Sequence, residues 1–471
     1  MDSAQDLSDL VISFQKSKQI LGKSGVADYL FRYLSEQNAM SCVIERKYVD
    51  KDFLLDYSKY YSRSFRNGDD RFTTRLHFFK CPLTSETFNE ILVDGSDEDI
   101  VRLNKSYLGF TVIKPINDKD DNPLIGKTLL VTYPESDGAA KRVFIKHTYH
   151  VSLFGIDLKV ESLPFQTQDS TVGGCATIAC WIALHPLSKL FGVPTHSPYE
   201  VTERSVSFIS LNRNFPSKGL TIYEMKNCFT QIGLDTEFIV PSFVQGSSYD
   251  PKYDDITADS VIAYINMGIP VIAAIALKKP GKKYKMRRKF SRYLRRIKEE
   301  PEFAYHAVVI SGYRHENGRV TELYLHDDGI GPYCRTQPVG NFTIWHNEWV
   351  SIRGYESIYV RHLLVPVYPK IRMEFSKIYQ AYQYLRNSIC QVSDPRYSNL
   401  VKFELFLVDM KEYKKALLKK RFDDKVAFLQ EPMPRFLWII RQYFMDTVVF
   451  DVIHDATDER EHGLVKIIRY I

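Results

Sequence analysis

The stretch that most constrains this chain runs from Gln166 to Leu184. Two glutamines, Gln166 and Gln168, lead into a polar turn and then Gly173-Gly174-Cys175. From Cys175 the pattern becomes an apolar helix, with Ala176, Ala179, Ile182, Ala183 and Leu187 at helical spacing. A helix start leaves backbone N–H groups unpaired and carries the positive end of the macrodipole. A thiolate at that position is stabilised, so its sulfur is a candidate nucleophile near neutral pH. The two glycines allow a tight turn and leave the sulfur accessible. Cys180, five residues on, points about 140° away at 3.6 residues per turn and reads as core.

A nucleophilic thiol needs a base and donors for the oxyanion. The base candidate is His306, which opens the β-branched run Ala307-Val308-Val309-Ile310 closed by Gly312. A second strand, Glu322 to His326, runs into Asp327-Asp328-Gly329. An aspartate at that strand end could hold the histidine ring in one tautomer. Asp327 continues the strand directly and is the first choice, with Asp328 the alternative.

This constellation resembles the papain-like cysteine peptidases, and within them the bacterial leader-peptide-processing (Gly-Gly) branch and its relatives. The resemblance covers roughly residues 163 to 332. It includes the glutamine before the cysteine at a helix start, the His-x-Val-Val-x-x-Gly-Tyr strand, and the following strand that ends in Asp. It also takes in Ala258 to Leu277, a helix, a Gly-x-Pro corner and a strand just before the histidine. The resemblance implies an α+β fold with a papain-like domain, a nucleophile-bearing helix against an antiparallel sheet. It implies a Cys175–His306–Asp327 triad, with Gln168 as oxyanion donor and Gln166 as the alternative. The implied activity is hydrolysis of a peptide or isopeptide bond in a protein or peptide substrate, without metal or organic cofactor, inside a bacterial cell. An acyltransferase or transglutaminase-like use of the triad, and a non-catalytic scaffold, are the alternatives. The family's cut after paired glycines is not carried over, because no substrate-reading motif is visible.

The chain has 471 residues, enough for two or three domains. The divisions read from the pattern are 1–150, an N-terminal α/β region, 151–365, the papain-like region, and 366–471, a small α+β unit. Leu7 to Leu21 reads as helix, and Leu363 to Ile371, with two prolines, as a linker. The seven cysteines are scattered and odd in number, which suits a reducing cytoplasm. The N-terminus lacks the basic and apolar regions of a secretory signal, and apolar runs such as Pro270 to Leu277 are too short to span a bilayer.

The net charge of +6 hides an asymmetry. Lys278 to Lys298 holds twelve Lys/Arg and no acid, which leaves 51 basic against 57 acidic residues elsewhere. This basic insertion, 278–298, reads as a loop over Lys278 to Lys283 and an amphipathic helix over Tyr284 to Lys298, either a solvated face or a contact for an acidic partner. It carries no nucleic-acid fold motif. Metal sites are not expected. His147 and His150 fall on opposite faces of a strand, and Asp451, Asp455 and Asp458 near His454 lack ligand spacing.

Overall fold

The computed structural model describes residues 10–63, 71–138, 140–169, 171–208, 215, 217, 219–241, 255–281, 302–316, 319–339, 341–392, 400–458 and 463–471. The fold is mixed α+β, and every pairing between its strands is antiparallel. A five-stranded sheet comes first, in chain order: Val11–Ser13, Ser41–Tyr48, Thr73–Phe79, Tyr107–Asn117 and Pro123–Leu130. Helices Gly25–Glu36 and Lys51–Lys59 are N-capped by Ser24 and Asp50, whose side chains accept the N–H groups of Ala27 and Phe53. The helix expected over Leu7–Leu21 starts only at Phe14. Before it, Val11 and Ile12 pair with Val43 and Cys42, because β-branched residues beside an open sheet edge gain a ladder that a helix would forgo.

The central sheet has nine strands. Six of them close on themselves: Val271–Lys278, Phe303–Glu316, Arg319–Asp327, Gly331–Val339, Asn341–His346 and Ser357–Val367, the last pairing back to the first. Strand Ala140–Phe144 extends this sheet by pairing with Gly312 to His315. The last barrel strand runs through the stretch read as a linker. Pro366 sits opposite Thr236 of the strand Asp235–Ile239, beyond Leu364, where pairing with Val271–Lys278 ends. A proline, which lacks an N–H, is tolerated where one side of the strand is unpaired.

Helix Cys175–Phe191 packs on the strands Phe303–Glu316 and Val271–Lys278. Every residue from Ala176 to Leu187 is buried, so the helix is the centre of a core rather than a surface element. That core is continuous with Leu30 and Tyr33 on one side and with Phe375 and Trp438 on the other. Truncating a side chain such as Leu184 to alanine would cost about 2–5 kcal/mol.

Two of the contacts that join the outer parts to this body show how closely they fit. A Cβ at Gly331 would lie 2.1 Å from the Tyr29 ring, so only glycine admits the N-terminal helix at that spot. Glu237 accepts the N–H of Phe375 (2.6 Å) at the start of helix Phe375–Val392. The C-terminal part is a four-stranded sheet, Val401–Asp409, Phe436–Phe444, Thr447–Asp455 and Leu464–Arg469. The basic insertion falls outside the described residues from 282 to 298. Its first residue, Lys278, ends a barrel strand and pairs with Glu356 (3.0 Å). Among the described residues no helix is long and apolar enough to cross a membrane.

Candidate active site

Gly174 is the N-cap of the central helix, and Cys175 is its first residue. The Ile178 N–H closes the first turn onto the Gly174 carbonyl (3.1 Å). A Cβ on Gly174 would come within 3.1 Å of the Gly219 Cα, so the two backbones meet there without room for a side chain. Cys175 is half-buried, whereas Cys42, Cys180, Cys228 and Cys334 are buried. Burial pushes the Cys228 thiol up to about 12 and the Cys180 thiol well above its ordinary value, which leaves both inert near neutrality. Cys81 is also half-buried, and its Sγ faces the Ser106 Oγ at 3.1 Å.

The turn before Cys175 is built on Asp169. Its Oδ1 accepts the N–H groups of Thr171 (3.0 Å), Val172 and Gly173 (3.1 Å). Its Oδ2 accepts the Tyr61 hydroxyl (2.6 Å). Neither Asp169 nor Tyr61 stands out as functional in the sequence. The available local signal was an Asp two residues before Thr171 in a polar turn, which is an Asx-turn pattern; Tyr61, 108 residues away, left none.

His306 lies on the strand Phe303–Glu316, opposite Ile275. Its Nε2 is 2.8 Å from the Asp327 Oδ1. Asp327 ends the neighbouring strand and is fully buried. Its Oδ1 also accepts the Gly329 N–H (2.9 Å), and its Oδ2 accepts the Trp349 indole N–H (2.7 Å). The Trp349 ring stands edge-on to the imidazole, with centroids 5.4 Å apart. Arg353 lies over the Trp349 ring, 4.6 Å from its centroid, and donates to the Gly329 carbonyl.

The electrostatics follow from these partners. Burial alone would lower the His306 pKa. The Asp327 charge and hydrogen bond, then a hydrogen bond with Cys175, then the Asp328 charge outweigh it and hold the ring well above its ordinary value. For Asp327, burial would raise the pKa, but His306, Trp349 and Gly329 together bring it below the usual value. With Nε2 engaged by Asp327, Nδ1 is the ring nitrogen left for the thiol.

Asp328 behaves differently. Its Oδ1 is 3.6 Å from the His306 Nε2, and its Oδ2 is buried with no partner among the described residues. Burial pushes its carboxyl up to about 7, against the pull of His306 and of the Gln168 backbone N–H. The Gln168 side chain is exposed, while Gln166 is buried and its Nε2 has no partner among the described residues.

His306, Asp327 and Asp328 are the three groups, among the described residues, that could hold a metal ion. The 2.8 Å contact is a direct hydrogen bond, and both Asp327 oxygens already accept N–H donors. A cation would have to displace them. The acids near His454 are otherwise engaged. Asp451 accepts from Arg441, Tyr413 and Tyr470, and Asp455 accepts from the Thr457 N–H and hydroxyl.

The structure thus brings Cys175, His306 and Asp327 to one place, with Asp328 beside them. No protein-family model matches the chain, and no curated protein matches it either.

Proposed function

We propose that this chain is a papain-like cysteine peptidase that hydrolyses a peptide or isopeptide bond in a protein or peptide substrate. The observation that carries this reading is the His306–Asp327 pair at 2.8 Å, with a half-buried thiol at a helix start among the groups that raise the imidazole's pKa. His306 takes the Cys175 proton, giving a thiolate–imidazolium pair. The thiolate attacks the carbonyl carbon, and the oxyanion is held by the Cys175 N–H and a glutamine side chain. The buried, unpartnered Nε2 of Gln166 weighs toward Gln166 over the exposed Gln168. His306 then protonates the leaving amine, and water resolves the acyl-enzyme. The closed barrel carrying His306 and Asp327 against the cysteine helix supports the same family reading. A bacterial cytoplasm is the location that the resemblance implies, and six described cysteines that are all free are compatible with it.

The test is the rate of Cys175 alkylation by iodoacetamide against pH, in a Cys81→Ser background, with His306→Ala as comparison. A fast, pH-flat reaction from below about pH 6, lost in the variant, is expected. A midpoint near the free-thiol value of about 8.5 would instead make the domain a scaffold. Added amines intercepting a trapped acyl-enzyme would shift the reading to acyl transfer.

A further inference from the structure

We propose that the segment from Lys51 to Arg63 is a clamp that sets the reactivity of Cys175, with Tyr61 and Asp169 as its positioning residues. This rests on the peptidase reading above and deepens it. The turn that delivers the cysteine is not self-supporting. Three consecutive N–H groups, of Thr171, Val172 and Gly173, converge on one Asp169 oxygen. That carboxylate is 6% exposed, and its second oxygen is occupied from outside by the Tyr61 hydroxyl. Tyr61 lies one residue beyond the end of helix Lys51–Lys59, after its C-cap Tyr60, and is 5% exposed. Phe53, Tyr61 and Val172 form a small apolar cluster of their own, separate from the main core.

The same segment grips the catalytic body at two further points. The Trp181 indole N–H, on the nucleophile helix, donates to the Asp52 Oδ2 (3.2 Å). The Tyr199 N–H, at the start of helix Pro198–Ser205, donates to the Asp56 Oδ1 (3.0 Å). That helix in turn holds the turn, through the Thr202 hydroxyl on the Val172 carbonyl (2.9 Å).

The physical consequence is specific. A carboxylate is acceptor-only, and a phenol at this position stays a donor. Charge-assisted hydrogen bonds are short and orienting. Removing the phenol frees Asp169 to rotate, and the three amides it gathers lose their common direction. The Cys175 N–H and Sγ follow immediately in the chain, so their positions relative to His306 loosen. A misplacement of about 1 Å at a reacting atom costs on the order of 100-fold. On this view the N-terminal segment completes the site. Undocking it switches the thiol off, and truncating it does not relieve inhibition.

The test pairs Tyr61→Phe with Tyr413→Phe. Tyr413 makes the same kind of bond, hydroxyl to a buried aspartate at 2.6 Å, in the C-terminal sheet. Both variants lose one such bond, so similar losses of melting temperature are expected. Only Tyr61→Phe should slow Cys175 alkylation at pH 6, by about tenfold or more, with its midpoint moved upward. Wild-type alkylation behaviour in both variants overturns the clamp and leaves the peptidase reading intact. A wild-type midpoint near the free-thiol value removes that reading and the clamp with it. Amide hydrogen exchange of the wild-type chain gives a readout that needs no variant. Val172 and Gly173 should exchange as slowly as the amides of helix Cys175–Phe191, and exchange at surface-loop rates counts against the clamp.

Discussion

Two fully buried aspartates, Asp327 in the barrel and Asp451 in the C-terminal sheet, stand in two kinds of pair, one with a partner that titrates and one without. Asp451 meets the Arg441 guanidinium through two parallel bonds of 2.7 Å, and the Tyr413 and Tyr470 hydroxyls cap its outer oxygen. Its partner is permanently charged and has no proton to exchange at working pH. Asp327 is as well satisfied, but its partner titrates and keeps one ring nitrogen for a thiol. Both aspartates are fully buried, and Asp451 accepts four hydrogen bonds to the three of Asp327. The difference is an ionisable partner, which suits the Asp327 pair to proton transfer and the Asp451 pair to structure.

The largest expected effect is on the barrel pair. Asp327→Asn should lower Cys175 alkylation at pH 6 by roughly 10²–10⁴-fold, as loss of the orienting acid does in other triads. The pH–rate profile checks this, and a loss under tenfold would make Asp327 structural.

Asp451→Asn should do the opposite. It leaves the part-buried Arg441 without its counter-charge and should cost up to about 3 kcal/mol of stability, read by urea denaturation. The alkylation profile should be unchanged below the unfolding range. A change in that profile would break the contrast between the two regions.

The last effect is at Asp328. Its folded pKa is raised to about 7, from an ordinary carboxyl value near 4. Between these values the folded chain keeps a proton that the unfolded chain has released. The stability it contributes is therefore present at low pH and is lost as pH rises through about 7. Asp328→Asn carries no such dependence. It should match the wild type near pH 4 and exceed it at pH 8 by at least about 1 kcal/mol, with about 4 kcal/mol as the ceiling set by a three-unit shift. Melting curves at the two pH values decide it, and equal gaps in both proteins would mean that Asp328 is ionised throughout. Glu237, also pushed to about 7 by burial, adds a slope of the same sign, so the comparison is between variants and not with a flat baseline.

Local pattern was enough to place the parts. Gly173-Gly174 before an apolar periodic run marks the start of helix Cys175–Phe191. A β-branched run after His306, and a strand ending at Asp327, mark the two paired strands. Gly268 and Pro270 mark the corner between helix Asp255–Met267 and strand Val271–Lys278. These signals are short-range, because periodicity and turn chemistry act over a few residues.

Contacts between distant residues were settled by tertiary structure alone. Proline content suggested a linker where Pro366 continues a barrel strand, because whether a missing N–H matters depends on which neighbour lies alongside. Asp327 and Asp328 are chemically identical and adjacent in sequence. One lies with two N–H donors and an imidazole, the other with a bare oxygen in the interior, and that drives their carboxyls in opposite directions. Tyr61 and Trp349 carry no local mark at all. Their roles come from a hydroxyl and an indole N–H delivered to aspartates 108 and 22 residues away. The sequence by itself determined which residues could be a nucleophile, a base and an acid. The packing of distant elements decided their protonation and orientation, because burial and charge are properties of the surroundings and not of the residue.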